Sequence, residues 1–377
     1  VTDENPGVLE IDENNVNTYI INSIEDLVFF SNDVTEGNTY EGKTVKLGLS
    51  LDFKSNKSYV DPFRTDYGKY GYSVELKTLL TSGEGFIPIG KIVKDSNQSK
   101  ENLFSGIFDG DYNAIYNIKI NENINITNQY FGIAMFAYNY GEIKNLGIKD
   151  ANISISTNAD KFGNIAIMIG RNYGNINNCY TTGKLIAENL NYSINVGGIA
   201  GANVGTINQS YNLAEINTLY EEENDIQFNT RTGGIVGVNE STGEINNVYN
   251  VGNVNCKINE KNTNGTDNLV GGISGLNLGK INNVYSIGNI ISTSGKNIRI
   301  GSIIGGNYNT GNENNCYYLE HTVYSSNEDS VIRIVGDEQT SDEMKQENFL
   351  EKLNNNQVSI WKKENTINSG YPILYWQ

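Results

Sequence analysis

At 377 residues the chain has room for two ordinary domains or one long repeat domain, and length alone does not choose between them. Forty glycines against four prolines, with 24 tyrosines and abundant asparagine, disfavour helices and suit many short strands joined by tight turns. A formal net charge of −17 repels nucleic acid and anionic lipid headgroups, and no apolar run reaches the roughly 18 residues that a membrane span needs, so neither nucleic-acid binding nor membrane insertion is expected.

Residues 1–125 read as an N-terminal cap with the first coils. The opening Val1-Thr2-Asp3-Glu4 lacks the basic and apolar regions of a secretion leader, so either a leader has been removed or the chain is one segment of a longer protein. Ser23 followed by Asp26 is a helix-start signal, and Leu27, Val28 and Phe30 continue an apolar face, which predicts a short helix over 23–34. Strands are expected at 44–53, 86–89, 106–108 and 115–120. Between the first two lies an insertion, 54–80, carrying Tyr59, Phe63, Arg64, Tyr67, Tyr70 and Tyr72. Tyrosines beside Arg and Asp suit glycan- and protein-binding surfaces; the plainer alternative is a loop packed over the coils through its own aromatics.

From 126 to 320 the chain repeats itself. Residues 196–211 read VGGIAGANVGTINQSY, and 270–285 read VGGISGLNLGKINNVY. A split copy runs through 232–239 and 243–249, and weaker ones cover 131–146, 165–180 and 300–317. The last glycine of the GGIxG box falls at Gly170, Gly201, Gly237, Gly275 and Gly305, spacings of 31, 36, 38 and 30 residues. Variable spacing around a constant box means one structural unit plus an outward loop of adjustable size. The box reads as a strand with Ile199, Ile235, Ile273 or Ile303 inward, and Asn-x-Gly as a turn whose residues tolerate positive φ. The stretch x-Ile-x-x-x-Tyr reads as a second strand, and a third follows the glycine after the tyrosine.

Three short strands per unit, repeated, describe a parallel β-helix-like solenoid. About six coils at ~4.8 Å each stack roughly 29 Å high. Equivalent residues then lie above one another: Asn139, Asn172, Asn203, Asn239, Asn277 and Asn307 as an amide ladder, and Tyr180, Tyr211, Tyr249, Tyr285 and Tyr317 as an aromatic stack. Cys179 and Cys316 occupy one slot of the repeat, too many rungs apart for a disulfide.

Residues 321–377 read as a C-terminal cap. Thr340 and Glu343 form a second capping box, predicting a helix over about 341–354 with Phe349, Leu350 and Leu353 on its apolar side. The aromatic terminus with Trp361 and 371–376 is expected against the final coil.

The box GGIxGxNxGxIxxxY resembles the GLUG motif of large bacterial surface and secreted proteins, found in adhesin-like chains and beside the catalytic part of IgA-specific metalloproteases. The resemblance covers 131 to about 318. FIPIG (86–90), FSGIFDG (104–110) and GYPILYW (370–376) are also similar to the neighbours of such repeats. It implies an all-β solenoid, a secreted or cell-surface location and no catalytic residues. Copies at 131 and 165 lack the double glycine, so distorted rungs are expected there.

The search for chemistry turns up little. A phosphate loop needs one glycine turn opening a helix; here the box recurs before strands. No zinc-type ligand cluster, HExxH or GxSxG pattern exists, and His321 has no obvious partner, so neither metal nor cofactor is expected. Asp109, Asp111, Glu142 and Glu244 are the acid candidates, but the slot of Glu142 and Glu244 also holds Asn175, Thr206 and Lys280, as a solvent-facing position does. The acidic run 221–225 reads as a solvated loop. The expectation is a monomeric, non-catalytic adhesion or substrate-targeting module that binds host or extracellular glycan or protein. Alternatives are a spacer or accessory domain of a larger secreted protease, and a glycan-cleaving β-helix.

Overall fold

The computed structural model describes residues 9–54, 85–90, 94, 95, 98, 99, 103–124, 131–157, 163–188, 193–220, 229–258, 268–293, 298–307, 311–326, 331–355 and 359–377. About 55% of the described residues are strand, wound into a parallel β-solenoid of about five turns. A six-stranded and a seven-stranded parallel sheet form two of its sides, and a 22-stranded sheet forms the rest.

One turn shows how the repeat is built. Its strands are Ile194–Gly197, Ala200–Asn203, Thr206–Asn208, Tyr211–Asn212 and Glu215–Tyr220. Against the next turn Gly197 pairs with Gly233, Asn203 with Asn239, Ile207 with Ile245 and Tyr211 with Tyr249, so residues that align in sequence stack in space. The GGIxG box is therefore not one strand. It bends at Gly198-Ile199 and joins two strands, and at this corner a Cβ on Gly198 would lie 2.3 Å from the Gly234 carbonyl oxygen of the next turn. The isoleucine after the corner still points inward: Ile199, Ile235, Ile273 and Ile303 are fully buried, as are Ile207, Ile245 and Ile281. Each contributes about 1.5–3 kcal/mol of apolar burial.

The left-handed backbone lies elsewhere than expected. It is adopted not at Asn-x-Gly but by the residue two before the ladder tyrosine, or before Gly147 in its slot: Asn145, Asn178, Gln209, Asn247, Asn283 and Asn315 have φ between 46° and 55°. Asparagine tolerates this region through local hydrogen bonding of its short side chain. The turn glycines are instead required by close stacking, since a Cβ on Gly174 would sit 1.9 Å from the Gly141 oxygen. The copies at 131 and 165 are not distorted by their missing glycines. Ile165 pairs with Val196 and Ala166 with Gly197, and backbone hydrogen bonds from Met135 to Ile167 (3.1 Å) and Ile169 to Ile199 (3.0 Å) carry the ladder through their corners.

Inside, the asparagine ladder forms as a directed chain. Asn139 Nδ2 donates to Asn172 Oδ1 at 2.8 Å, Asn172 to Asn203 at 2.9 Å, Asn203 to Asn239 at 2.9 Å and Asn239 to Asn277 at 2.8 Å. The chain does not pass to Asn307. Glu313, standing where the other turns place an inward isoleucine, accepts from Asn277 at 2.7 Å and from Asn307 at 2.8 Å, so a carboxylate terminates the row of amide dipoles. A second buried row follows the tyrosines: Thr181 Oγ1 donates to Asn212 and Asn212 Nδ2 to Asn250, both at 2.8 Å.

The N-terminal end is closed as the sequence predicts. Helix α1 (Ile24–Thr35) starts at Ser23, whose hydroxyl accepts from the Asp26 amide at 3.1 Å. It buries Ile24, Leu27, Phe30 and Val34, with Phe30 5.6 Å from Phe104 and 5.7 Å from Phe108 between ring centroids. An antiparallel hairpin of Glu10–Asp12 and Asn15–Ile21 lies on the first parallel strand, Thr44–Leu47.

The C-terminal segment is not a lid on the final coil. The expected helix over 341–354 is two, α2 (Ser341–Met344) and α3 (Glu347–Asn354), broken at Lys345-Gln346, and Met344, Phe349 and Leu353 are all buried against the tyrosine stack. From there the chain runs back along the side of the solenoid. Phe349 lies 5.0 Å from Tyr317, Trp361 lies 5.6 Å from Tyr285 and 6.0 Å from Tyr249, and Trp376 lies 5.8 Å from Tyr211 and 6.3 Å from Tyr180. This strap covers the tyrosines because four flat rings stacked 4.8–5.0 Å apart offer a continuous apolar strip, whereas the end of the stack offers only strand edges. At that end Val331, Ile332 and Ile334 are exposed among the described residues.

Candidate functional site: an asparagine-lined groove

The aromatic residues singled out in the sequence, Tyr59, Phe63, Arg64, Tyr67, Tyr70 and Tyr72, lie outside the described residues, as does the acidic run 221–225. Within the described residues the side chains collect on another face, the one carrying the second strand of each unit. There the residue after the inward isoleucine points outward, and the register stacks Asn177 on Asn208, Asn208 on Asn246, Asn246 on Asn282 and Asn282 on Asn314 without a shift. The left-handed residue that follows adds a second column, in which Asn247 and Asn283 are buried. Together with Thr206, and with Asn355 at the left-handed C-terminus of α3, these amides line a groove of about 460 Å³ between the solenoid face and the strap.

The amides hold one another in place. Asn247 Nδ2 donates to Asn208 Oδ1 at 3.0 Å, Asn282 to Asn246 at 2.9 Å, Asn283 to Asn247 at 3.3 Å and Asn315 to Asn283 at 2.9 Å. A primary amide carries two N–H groups and an oxygen with two lone pairs, so Asn247 and Asn283, bonded in both directions, keep one donor and one acceptor site each, and Asn208, Asn246 and Asn282, with a single such bond, keep more. The lining carries no charge. Glu142 flanks its first rung, accepting from Asn177 Nδ2 at 3.1 Å, and beside the central rungs Lys280 and Glu244 neutralise each other at 2.8 Å.

At the turn that leads into the first of these strands, Tyr140 and Tyr173 stack with ring centroids 4.3 Å apart, both exposed, and Arg171 lies 5.1 Å over the Tyr173 ring. The acid candidates do not meet. Asp109 accepts from the Asp111 amide at 2.9 Å and from Asn145 Nδ2 at 3.0 Å, Asp111 pairs with Lys46 at 3.0 Å, and Glu142 and Glu244 are held as above. His321 stands in the solvent, with Glu320 3.8 Å away. Burial pushes the thiols of Cys179, Cys256 and Cys316 up to about 12, so they stay protonated. Among the described residues no cluster of His, Cys, Asp and Glu is placed to hold a metal ion, and no helix is long and apolar enough to cross a membrane.

The groove has a sequence signature apart from the inward ladder: the residue after the inward isoleucine is asparagine at 177, 208, 246 and 282, and Asn314 follows Glu313 in the same slot.

No protein-family model and no curated protein matches the chain. Among solved structures, a candidate immunoglobulin A1 protease from Bacteroides ovatus matches over 96% of this chain and 93% of its own, at 20% identity and a TM-score of 0.57. A chain described as IgA1 protease matches over 90% of this chain and 22% of its own, at 16% identity and a TM-score of 0.45. The first likeness is one of fold, and it extends over nearly the whole of both chains.

Proposed function

We propose that this chain is a non-catalytic targeting module of a secreted or surface-displayed GLUG-repeat protein, and that it binds carbohydrate in the asparagine-lined groove. The observation that carries the reading is the double column of uncharged amides, which keep donor and acceptor sites for a ligand while hydrogen bonds between rungs orient Asn208, Asn246, Asn247, Asn282 and Asn283. Sugar hydroxyls are both donors and acceptors, and side chains already ordered lose little entropy when they bind. The separate engagement of Asp109, Asp111, Glu142 and Glu244 supports a binding rather than a hydrolytic role, because glycoside cleavage needs two carboxyl groups facing one bond. The insertion bearing Tyr67, Tyr70 and Tyr72 is a second recognition surface in this reading.

A glycan array followed by calorimetry tests it. Wild type binds, and the variant Asn208→Ala/Asn246→Ala/Asn282→Ala loses binding while keeping the strand signal and a cooperative melting transition. A folded protein that binds no glycan overturns the reading. The second reading, an accessory domain or spacer of a secreted protease, draws on the shared fold with the candidate immunoglobulin A1 protease. It is favoured by that result.

A further inference from the structure

We infer that the groove takes an unbranched, uncharged β-1,4-linked polysaccharide lying parallel to the solenoid axis, with successive sugars over successive turns. The inference rests on the carbohydrate reading above and concerns which carbohydrate binds and how. Asn177, Asn208, Asn246, Asn282 and Asn314 stack with no register shift, so the same amide recurs about every 4.8 Å across four steps, roughly 19 Å in all. A ligand that uses every rung must itself be linear and must repeat near that distance.

An extended polypeptide does not fit. It rises about 3.4 Å per residue and presents the same side every ~6.8 Å, so by the second rung it is out of step by more than the tolerance of a hydrogen bond. A nucleic-acid strand carries phosphates into a chain of net charge −17, past Glu142 at the first rung. An extended chain of β-1,4-linked pyranoses advances by close to one strand spacing per residue, and although alternate rings are turned over, each edge of the chain still offers a hydroxyl group at every step.

Neutrality follows from the lining. The groove presents amide donors and acceptors in equal number and no guanidinium or ammonium group, so a carboxylated or sulfated sugar finds no counter-charge there. The strap side, where Asn355 stands opposite the stacked columns, restricts branches from the same chain.

The test is calorimetric titration of the full chain with cello- and chito-oligosaccharides, from disaccharide to octasaccharide, and with oligogalacturonates as the acidic counterpart. Expected is a dissociation constant that falls by at least about tenfold between the disaccharide and the pentasaccharide and is flat beyond. Asn208→Ala and Asn282→Ala each weaken the pentasaccharide without changing the melting temperature. Binding that is independent of length, binding of neither neutral series, or a preference for oligogalacturonate that disappears with salt overturns the inference. If other glycans on the array still bind through the groove in those cases, the carbohydrate reading survives alone; if none binds, both fall.

Discussion

Replacing Asn239 by alanine isolates the worth of the inner amide ladder. Asn239 is fully buried, accepts from Asn203 at 2.9 Å and donates to Asn277 at 2.8 Å, with longer contacts to the Gly243 and Lys280 carbonyls at 3.2 and 3.3 Å. Its removal leaves neither neighbour wholly orphaned. Asn203 Nδ2 still reaches the Gly205 carbonyl at 3.1 Å, and Asn277 Oδ1 still accepts from the Gly279 amide at 3.2 Å. The loss is therefore two side-chain hydrogen bonds at about 1–1.5 kcal/mol each, plus a small cavity, for a total of about 2–4 kcal/mol. The groove amide Asn246 is the control. It sits on the next strand of the same turn, Glu244–Asn246, and faces water, which takes over its single ladder bond, so Asn246→Ala costs about 1 kcal/mol or less. Urea denaturation followed by far-UV circular dichroism, with amide hydrogen exchange at 236–239 to localise the effect, reads both variants. Equal costs for Asn239→Ala and Asn246→Ala would refute the claim that the inner row is structural and the outer row free for a ligand.

Truncating Tyr249 or Ile273 to alanine removes a large buried side chain and costs about 2–5 kcal/mol in the same assay, whereas Glu244→Ala, half-exposed and paired only with Lys280, changes little. The chain has two tryptophans, Trp361 and Trp376, and both lie in the strap, so tryptophan emission reports strap undocking directly. Deleting 359–377 uncovers the tyrosine strip and is expected to raise binding of an apolar dye while the strand signal persists; loss of all strand signal would show that the strap is integral to the solenoid. Burial pushes the Tyr180 hydroxyl up from 10.0 to about 12, and those of Tyr211, Tyr249 and Tyr285 upward as well. With folded values above the unfolded one, the folded chain holds more protons. This stability is complete below pH 10.0 and lost as pH rises through about 12 and beyond, so the tyrosinate absorbance of these four residues should appear together with unfolding rather than before it.

The sequence by itself determined the repeat and hence the register. Any residue aligned by the GGIxG box stacks on its counterpart, because parallel coils of one unit pair most fully when identical positions coincide, and this made the inward isoleucines, the amide ladder and the tyrosine stack legible before any coordinates. Both helix starts were legible too, since a capping hydroxyl and a carboxylate three residues on act locally. The corner at Gly198 was not, because alternation of apolar residues looks the same in one bent segment as in one straight strand. Nor was the shift of left-handed backbone to Asn178 and its counterparts, since asparagine and glycine stand close together in every unit and either tolerates that conformation. Only the tertiary structure decided that Glu313 terminates the ladder, that the aromatic terminus straps the side of the stack, and that an asparagine-lined groove opens beside it. These features depend on which surfaces remain uncovered once the coils have stacked. That is settled by contacts between residues far apart in the chain, such as Trp376 donating to the Gln209 carbonyl, and local sequence patterns carry no record of them.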